Sequence, residues 1–222
     1  DETLQRSQVS IDMAQGVMLN GPIQGGLFSD LRQKSAIEMG KFDFSVHPIG
    51  GIVPVMEQHR YREYAKIMLS TLPFLPSNRP VHMFGCGHPM LFPMSIALGA
   101  DLFDSAAYAL FARDGRILTP WGTERLEALH EWPIMMPCIM SVTPDEVKKL
   151  DKQERMELLS KYNLEITLAE LARCRQAVRN GNIWRLVEQR SHQHPALRDA
   201  FLWLTTNPAT ADYIRLNKDD FP

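Results

Sequence analysis

Four groups of residues with ligand-binding or reactive chemistry stand at the carboxyl ends of four predicted β-strands. A glutamine offers a donor and an acceptor to a base edge, glycines let backbone groups approach a ligand, and an aromatic ring stacks on a flat ring. A carboxylate can act as a nucleophile or as an acid–base catalyst. In chain order the groups are Gln24 with Gly25, Gly50 with Gly51, Phe84, and Asp104. Together they predict a site for a planar polar ligand beside a reactive carboxylate.

Each of these residues, taken alone, also has a simpler structural interpretation. Paired glycines commonly form turns, Phe84 could belong to a core, and Asp104 could cap a helix that begins at Ser105. Asp101 precedes Asp104 by three positions and points to the opposite face of the strand. Because an ionised carboxylate in an apolar run needs a partner, Asp101 is predicted to accept a hydrogen bond from a backbone amide or an arginine.

The elements that must position these residues are short apolar runs alternating with amphipathic helices. Parallel strands joined through right-handed crossovers produce this alternation, and four such units are half of a (β/α)8 TIM barrel, which typically needs about 250 residues. The predicted strands are 18–24, 42–49, 81–85 and 100–104, and the predicted helices between them are 27–40, 56–72 and 88–99. The predicted apolar face of the first of these helices carries Phe28, Leu31, Ser35 and Met39.

The second half of the chain is predicted to be mostly helical. A threonine followed three residues later by a glutamate is a capping box, and it marks helix starts at Thr143, with Glu146, and at Thr167, with Glu170. Residues 161–198 hold an excess of positive charge. Such an excess can face phosphate groups, although a solvated helix face is the commoner explanation.

The composition describes an ordinary globular protein rather than a membrane or disulfide-rich one. Of 222 residues, 45% are hydrophobic and 23% are charged, and the formal net charge of −2 does not by itself indicate a nucleic-acid partner. No apolar run reaches membrane-spanning length. The three cysteines, odd in number and widely spaced, fit a reducing compartment, and we expect a cytoplasmic protein.

Four blocks of the sequence carry a resemblance to a known family. They are "GPIQGGLFSDLRQKSA", "HPIGGIVPVME", "RPVHMFGCGHP" and "GADLFDSAAYALFARDGR". These blocks, and most of residues 15–195, resemble the tRNA-guanine transglycosylases in the archaeal form that makes archaeosine. The resemblance implies a (β/α)8 barrel that exchanges a guanine in tRNA for a 7-deazaguanine base. In the archaeal branch the target is guanine 15 of the D-arm, and the incoming base is 7-cyano-7-deazaguanine (preQ0).

The resemblance also implies roles for individual residues. Asp104 corresponds to the nucleophilic aspartate, which attacks the anomeric carbon of the ribose and forms a covalent ribosyl ester that the new base displaces. The other implied contacts are Gln24 and Gly25 in the base-recognition loop, Gly50, Gly51, Ile52 and Val53 whose backbone contacts the heterocycle, Phe84 stacked on the base, and Arg113 and Arg116 against the tRNA backbone.

The chain departs from the archaeal family at its metal site. The family binds zinc through a Cys-x-Cys-x-x-Cys run and a later histidine. Those positions fall here on Ile134, Met136, Ile139 and Tyr162. Because zinc needs thiolate, imidazole or carboxylate donors, we expect no metal cofactor and a hydrophobic plug in its place.

The family's second aspartate would lie before residue 1. We therefore expect residues 1–130 to form the C-terminal half of the barrel and residues 131–222 to form a helical subdomain without zinc. The N-terminal half would be a separate chain or a removed segment, and an oligomer is expected. Two alternatives remain open: a non-catalytic tRNA-binding or scaffold subunit, and a relative that modifies DNA.

Overall fold

The computed structural model describes residues 2–14 and 16–217 and shows a mixed α/β protein. Three short strands, β1 (His47–Ile49), β2 (Val81–Met83) and β3 (Leu102–Phe103), form a parallel sheet in the order β1-β2-β3. His47 pairs with Val81, and Met83 pairs with Phe103. The predicted parallel pairing is confirmed, and the carboxyl ends of all three strands meet at one edge of the sheet.

The first predicted strand, over residues 18–24, forms only two isolated parallel bridges, Asn20 to Val46 and Ile23 to Ile49. Pro22 cannot donate a backbone hydrogen bond, so a continuous ladder is not available at this position. The segment still runs beside β1 and delivers its last residues to the same edge.

Helices surround this sheet and make up most of the remaining chain. They are α1 (Glu2–Met13), α2 (Ser29–Gly40), α3 (Val53–Glu57), α4 (Tyr61–Leu69), α5 (Phe92–Leu98), α6 (Ala107–Arg113), α7 (Pro144–Val147), α8 (Lys152–Arg179), α9 (Ile183–Ser191), α10 (Pro195–Thr206) and α11 (Pro208–Asn217). A hairpin of β4 (Arg116–Thr119) and β5 (Gly122–Arg125) follows α6. None of the described helices is both long and apolar enough to cross a membrane.

Two helix predictions in the first half of the chain need correction. The helix predicted over 56–72 is divided at His59, which has a left-handed φ of 54°. Helix α3 ends at Glu57, and α4 begins at Tyr61 after a break of three residues. On α2, Phe28 just before the helix and Leu31 within it are exposed. The buried residues of α2 are Arg32, Ala36 and Met39, so its inward face is centred one position further along the chain than predicted.

In the second half, one predicted capping box exists and the other does not. Thr143 accepts from the amide of Glu146, whose side chain accepts in turn from the amide of Thr143. Thr167, in contrast, lies inside the 28-residue helix α8, and its hydroxyl donates to the carbonyl of Asn163. Asp151 caps α8 instead, accepting from the amides of Gln153 and Glu154. The second pattern lies within a continuous helix, where the Thr167 hydroxyl bonds to a carbonyl one turn earlier and the glutamate makes a tertiary contact.

That glutamate, Glu170, is buried and binds Arg190 of α9 through two hydrogen bonds. Arg190 Nε donates to Oε1 at 2.7 Å, and Nη2 donates to Oε2 at 2.9 Å. A second buried polar residue of α8, Asn163, accepts from the Leu118 amide and donates to the carbonyls of Tyr108 and Arg116. Helix α8 thus fixes α9 on one side, and α6 with β4 on the other.

Two of the hydrophobic cores surround α8. One includes β1, β2, α4, α5, α9 and α10, with Trp184, Tyr64, Phe92 and Met68 among its fully buried side chains. The other joins α6 and β4 to α8 and includes Ala112, Ile117, Leu118, Leu159 and Ile166. The expected division of the chain after residue 130 stays a prediction.

The buried ion pair between Glu170 and Arg190 provides a test of this arrangement. Glu170→Gln keeps the shape of the side chain but leaves the Arg190 charge buried without a counter-ion, so we expect a loss of about 3 kcal/mol or more in the free energy of unfolding. Denaturant titration followed by circular dichroism measures this loss.

The matched control is Asp199→Asn, which removes the partner of Arg62 in an exposed ion pair between α10 and α4. Exposed pairs contribute about 1 kcal/mol or less, so this variant should melt close to the unsubstituted protein. Equal losses from the two variants would contradict the structural role assigned to Glu170.

Candidate functional site

Asp104, directly after β3, is held in a fixed orientation by two donors. His82 Nε2 donates to Asp104 Oδ1 at 2.8 Å, and the Gly85 amide donates to the same oxygen at 2.8 Å. Oδ2 makes no hydrogen bond to any residue that the structure describes, and half of the side chain is exposed. The carboxylate therefore presents one anchored oxygen and one oxygen open to a ligand.

Asp104 is not the cap of the following helix, because Ser105 makes the local contact. Ser105 Oγ accepts from the amide of Ala107, the first residue of α6. Asp101 has the separate structural role that the sequence predicted for it: Oδ2 accepts from the Val81 amide at 2.8 Å and joins the start of β2 to the start of β3. Of the two acids, Asp104 is the one that follows the carboxyl end of its strand, whereas Asp101 precedes β3.

His82 was not identified by sequence reasoning. It lies in β2, and its ring packs edge-on against Phe84 with centroids 5.7 Å apart. In the sequence, His82 is marked only by an aromatic residue two positions later in the same predicted strand. Its partner Asp104 lies 22 residues away, so no local pattern connects the two. Only the parallel pairing of β2 with β3 brings the two together.

Gln24 and the glycines that follow β1 lie in direct contact. A Cβ at Gly50 would lie 2.6 Å from Gln24 Nε2, so any side chain there would displace the glutamine. Gly25, with a φ of 149°, packs its backbone against α2, where a Cβ would lie 2.7 Å from the Arg32 amide nitrogen. The two loops predicted to contact a base are therefore neighbours, and glycine permits their approach.

Val53 lies beside Gly85, the residue that follows Phe84, across the same edge. A Cβ at Gly85 would be 2.7 Å from Val53 Cγ2. Ile52 is fully buried, whereas Val53 is partly exposed, and Phe84 is 56% exposed. Phe84 is thus not a core residue, and its ring is free to stack on a flat ligand.

Cys86 lies close to Asp104 but is not a competing nucleophile. Burial raises the pKa of the Cys86 thiol to about 12, and the nearby charge of Asp104 acts in the same direction. A thiol with this pKa is protonated at neutral pH and unreactive. Of the two side chains, Asp104 is therefore the one with an oxygen that a ligand can reach.

Arg113 is the last residue of α6, and Arg116 is the first residue of β4. Arg113 is exposed, with Nε 3.9 Å from Asp114. Arg116 is more constrained, since it pairs with the same Asp114 at 3.4 Å and its guanidinium lies 4.2 Å from the centre of the Phe111 ring. Arg113 is therefore the freer of the two for contact with a phosphate.

The four positions that replace the family's zinc ligands converge on one apolar cluster. Ile139 and Tyr162 are fully buried in the second core, and Ile134 and Met136 pack against it. The Tyr162 hydroxyl donates to the Ile134 carbonyl at 3.0 Å. None of these side chains is a thiolate, imidazole or carboxylate, so this group does not fit zinc.

Comparison with known proteins agrees with this geometry. The family model for queuine tRNA-ribosyltransferase matches residues 1–196. The tRNA-guanine(15) transglycosylase of Methanocaldococcus jannaschii is 49% identical over 208 residues, covering 90% of this chain and 32% of the relative. The Pyrococcus abyssi protein of the same name is 43% identical over 199 residues, covering 90% of this chain and 34% of the relative.

The chain spans about a third of the length of these curated relatives. The match nevertheless includes every strand and loop of the site, from Gln24 to Asp104. It also confirms the resemblance that the four sequence blocks indicated. The chain belongs to the queuine tRNA-ribosyltransferase family.

Proposed function

We propose that this chain carries the nucleophile and part of the base pocket of a tRNA-guanine transglycosylase. The enzyme would exchange guanine 15 of the tRNA D-arm for 7-cyano-7-deazaguanine in the formation of archaeosine. The observation that carries the proposal is the anchored carboxylate of Asp104, with one free oxygen, at the edge where the base-recognition loops meet. The names of the relatives support the same reaction.

The reaction proceeds by two displacements at the anomeric carbon of the ribose. Asp104 Oδ2 forms a bond to that carbon as the bond to guanine N9 breaks, and guanine leaves with the electron pair and gains a proton. The incoming base then forms the new bond and loses its proton, and the Asp104 carboxylate is released. Two inversions give net retention of configuration.

The neighbouring residues recognise the two bases in turn. Gln24 offers an amide to the base edge, and the backbone of Gly50, Gly51, Ile52 and Val53 lies beside it. Phe84 stacks on the ring, which contributes about 1–3 kcal/mol where a base meets an aromatic side chain. A base in a stacked duplex cannot reach this edge, so the target nucleotide must leave its stack.

The open edges of the sheet support completion of the barrel by other polypeptide. On one side, residues 20–23 make only bridges to β1, and on the other, β3 pairs within the described chain only with β2. We infer that an N-terminal half-barrel, in a separate chain or in a segment of the same one, closes both edges, and that the working unit is an oligomer. The three cysteines are free thiols, which supports a cytoplasmic location.

Asp104→Asn tests the nucleophile. Asparagine keeps an oxygen that can accept from His82 and Gly85, but it has no anionic oxygen to attack the ribose. With the half-barrel present, we expect exchange of labelled guanine and the covalent tRNA adduct to fall by roughly a thousandfold or more while tRNA affinity is kept. Adduct formation is measured on denaturing gels.

Asp101→Asn is the matched control, since it keeps the acceptor for the Val81 amide and should leave exchange near its original rate. Exchange by Asp104→Asn at the unsubstituted rate would favour a scaffold subunit without catalysis. Exchange into DNA but not into tRNA would favour the DNA-modifying alternative.

His82 is a positioning residue in this proposal, because it acts on the ribose only through Asp104. His82→Phe removes the donor to Oδ1, and we expect the single-turnover rate of adduct formation to fall about tenfold to a hundredfold. The KM for the free base should stay within about twofold. His82→Gln, which can still donate, should recover part of the rate, and a KM effect as large as the rate effect would contradict this role.

We propose that the chain works without zinc, since the apolar cluster around Tyr162 takes the place of the metal site. Over residues 2–14 and 16–217, no group of three or more histidine, cysteine or acidic side chains is placed to hold a metal. Metal analysis of the purified protein should find well under one zinc per chain. About one zinc per chain, retained after dialysis against a chelator, would contradict the proposal.

A further inference from the structure

Arg32 is the one arginine of α2, and its guanidinium is completely buried behind the two base-recognition loops. Nε donates to the Gly26 carbonyl at 3.0 Å, Nη1 to the Ile23 carbonyl at 3.2 Å, and Nη2 to the Gly50 carbonyl at 2.8 Å. Three of its donors therefore tie the loop after residues 18–24 to the loop after β1.

This cation is unusual because it has no carboxylate partner among the described residues. Its neighbours are neutral backbone carbonyls, and burial lowers the pKa of Arg32 to about 10, which still leaves it charged at neutral pH. A buried charge without a counter-ion is costly, and the three hydrogen bonds to backbone carbonyls offset part of that cost. These bonds give Arg32 a structural role, and the position of its charge adds a chemical one.

The bond to Gly50 has a chemical consequence for Gly51. The Gly50 carbonyl and the Gly51 amide belong to one peptide group, so a cation on the oxygen draws electrons from the nitrogen and strengthens the N–H as a donor. That N–H has no acceptor among the described residues. Gly51 is exposed, and Nη2 lies 3.4 Å from the position a Cβ would take on it.

We propose that Arg32 is a specificity-determining positioning residue, which polarises the Gly50–Gly51 peptide so that the Gly51 amide selects bases with a ring carbonyl oxygen. The inference rests on the proposed function, since it assigns a selection step to the same pocket. Gln24, whose amide lies against Gly50, adds a second donor at this point. A base without that oxygen leaves the polarised N–H without a hydrogen-bond acceptor, and this weakens binding of that base.

The test compares guanine with 2-aminopurine, which has the same ring system without the carbonyl oxygen. Arg32→Lys keeps a charge but cannot span three carbonyls. With the complete barrel, we expect the KM for guanine to rise about tenfold, while the inhibition constant of 2-aminopurine against guanine exchange changes less than about twofold. Arg62→Lys, on the surface of α4, is the control for arginine replacement and should change neither constant.

Thermal melting checks that the variant is folded at the assay temperature. A second measurement needs no variant: the amide proton of Gly51, followed by NMR in the unsubstituted protein, should shift downfield with guanine and not with 2-aminopurine. A purely structural role for Arg32 gives equal changes in both constants, or none, and overturns the inference. Absence of exchange by the unsubstituted protein is a different result, which overturns the proposed function and this inference together.

Discussion

The parallel pairing of β1, β2 and β3 is the constraint on which the site depends. The strands contain only two or three residues each, yet their common direction places the residue after each carboxyl end at the same edge. His82 reaches Asp104 because β2 pairs with β3, and Gln24 reaches Gly50 because residues 20–23 run beside β1. A short sheet is sufficient to place the candidate site residues, because they lie at the strand ends and only those ends need to be fixed.

So small a sheet needs support from the helices around it. Helix α8 provides much of this support, since Asn163 fixes α6 and β4 while Glu170 fixes α9. The α9 and α10 helices in turn join the core that includes β1 and β2. Buried polar contacts in helices outside the site therefore help to hold the core against which β1 and β2 pack.

The charge that each side chain of the site can present to a ligand depends on whether its polar atoms are exposed or buried. The thiol of Cys86 is buried, which keeps it protonated, whereas Asp104 stays half exposed with one oxygen free. Arg32 is the opposite case, a buried cation whose hydrogen bonds go to backbone carbonyls. The site thus combines a half-exposed carboxylate with a buried guanidinium that holds two of its loops together.

The sequence by itself determined the alternation of strands and helices and the family, because periodicity and contiguous motifs are local features of the chain. It also predicted the parallel sheet, which follows from that alternation, and a backbone or arginine partner for Asp101, but only the structure showed that this partner is the Val81 amide, 20 residues away. The sequence did not identify His82 or Arg32. Their partners are distant in the chain or are backbone carbonyls, which leave no side-chain pattern. The tertiary structure also decided that Thr167 lies inside α8 and that Phe28 and Leu31 are exposed. A capping pattern or an apolar stripe indicates only a local preference, and the structure instead buries Glu170 and Arg32 in tertiary contacts.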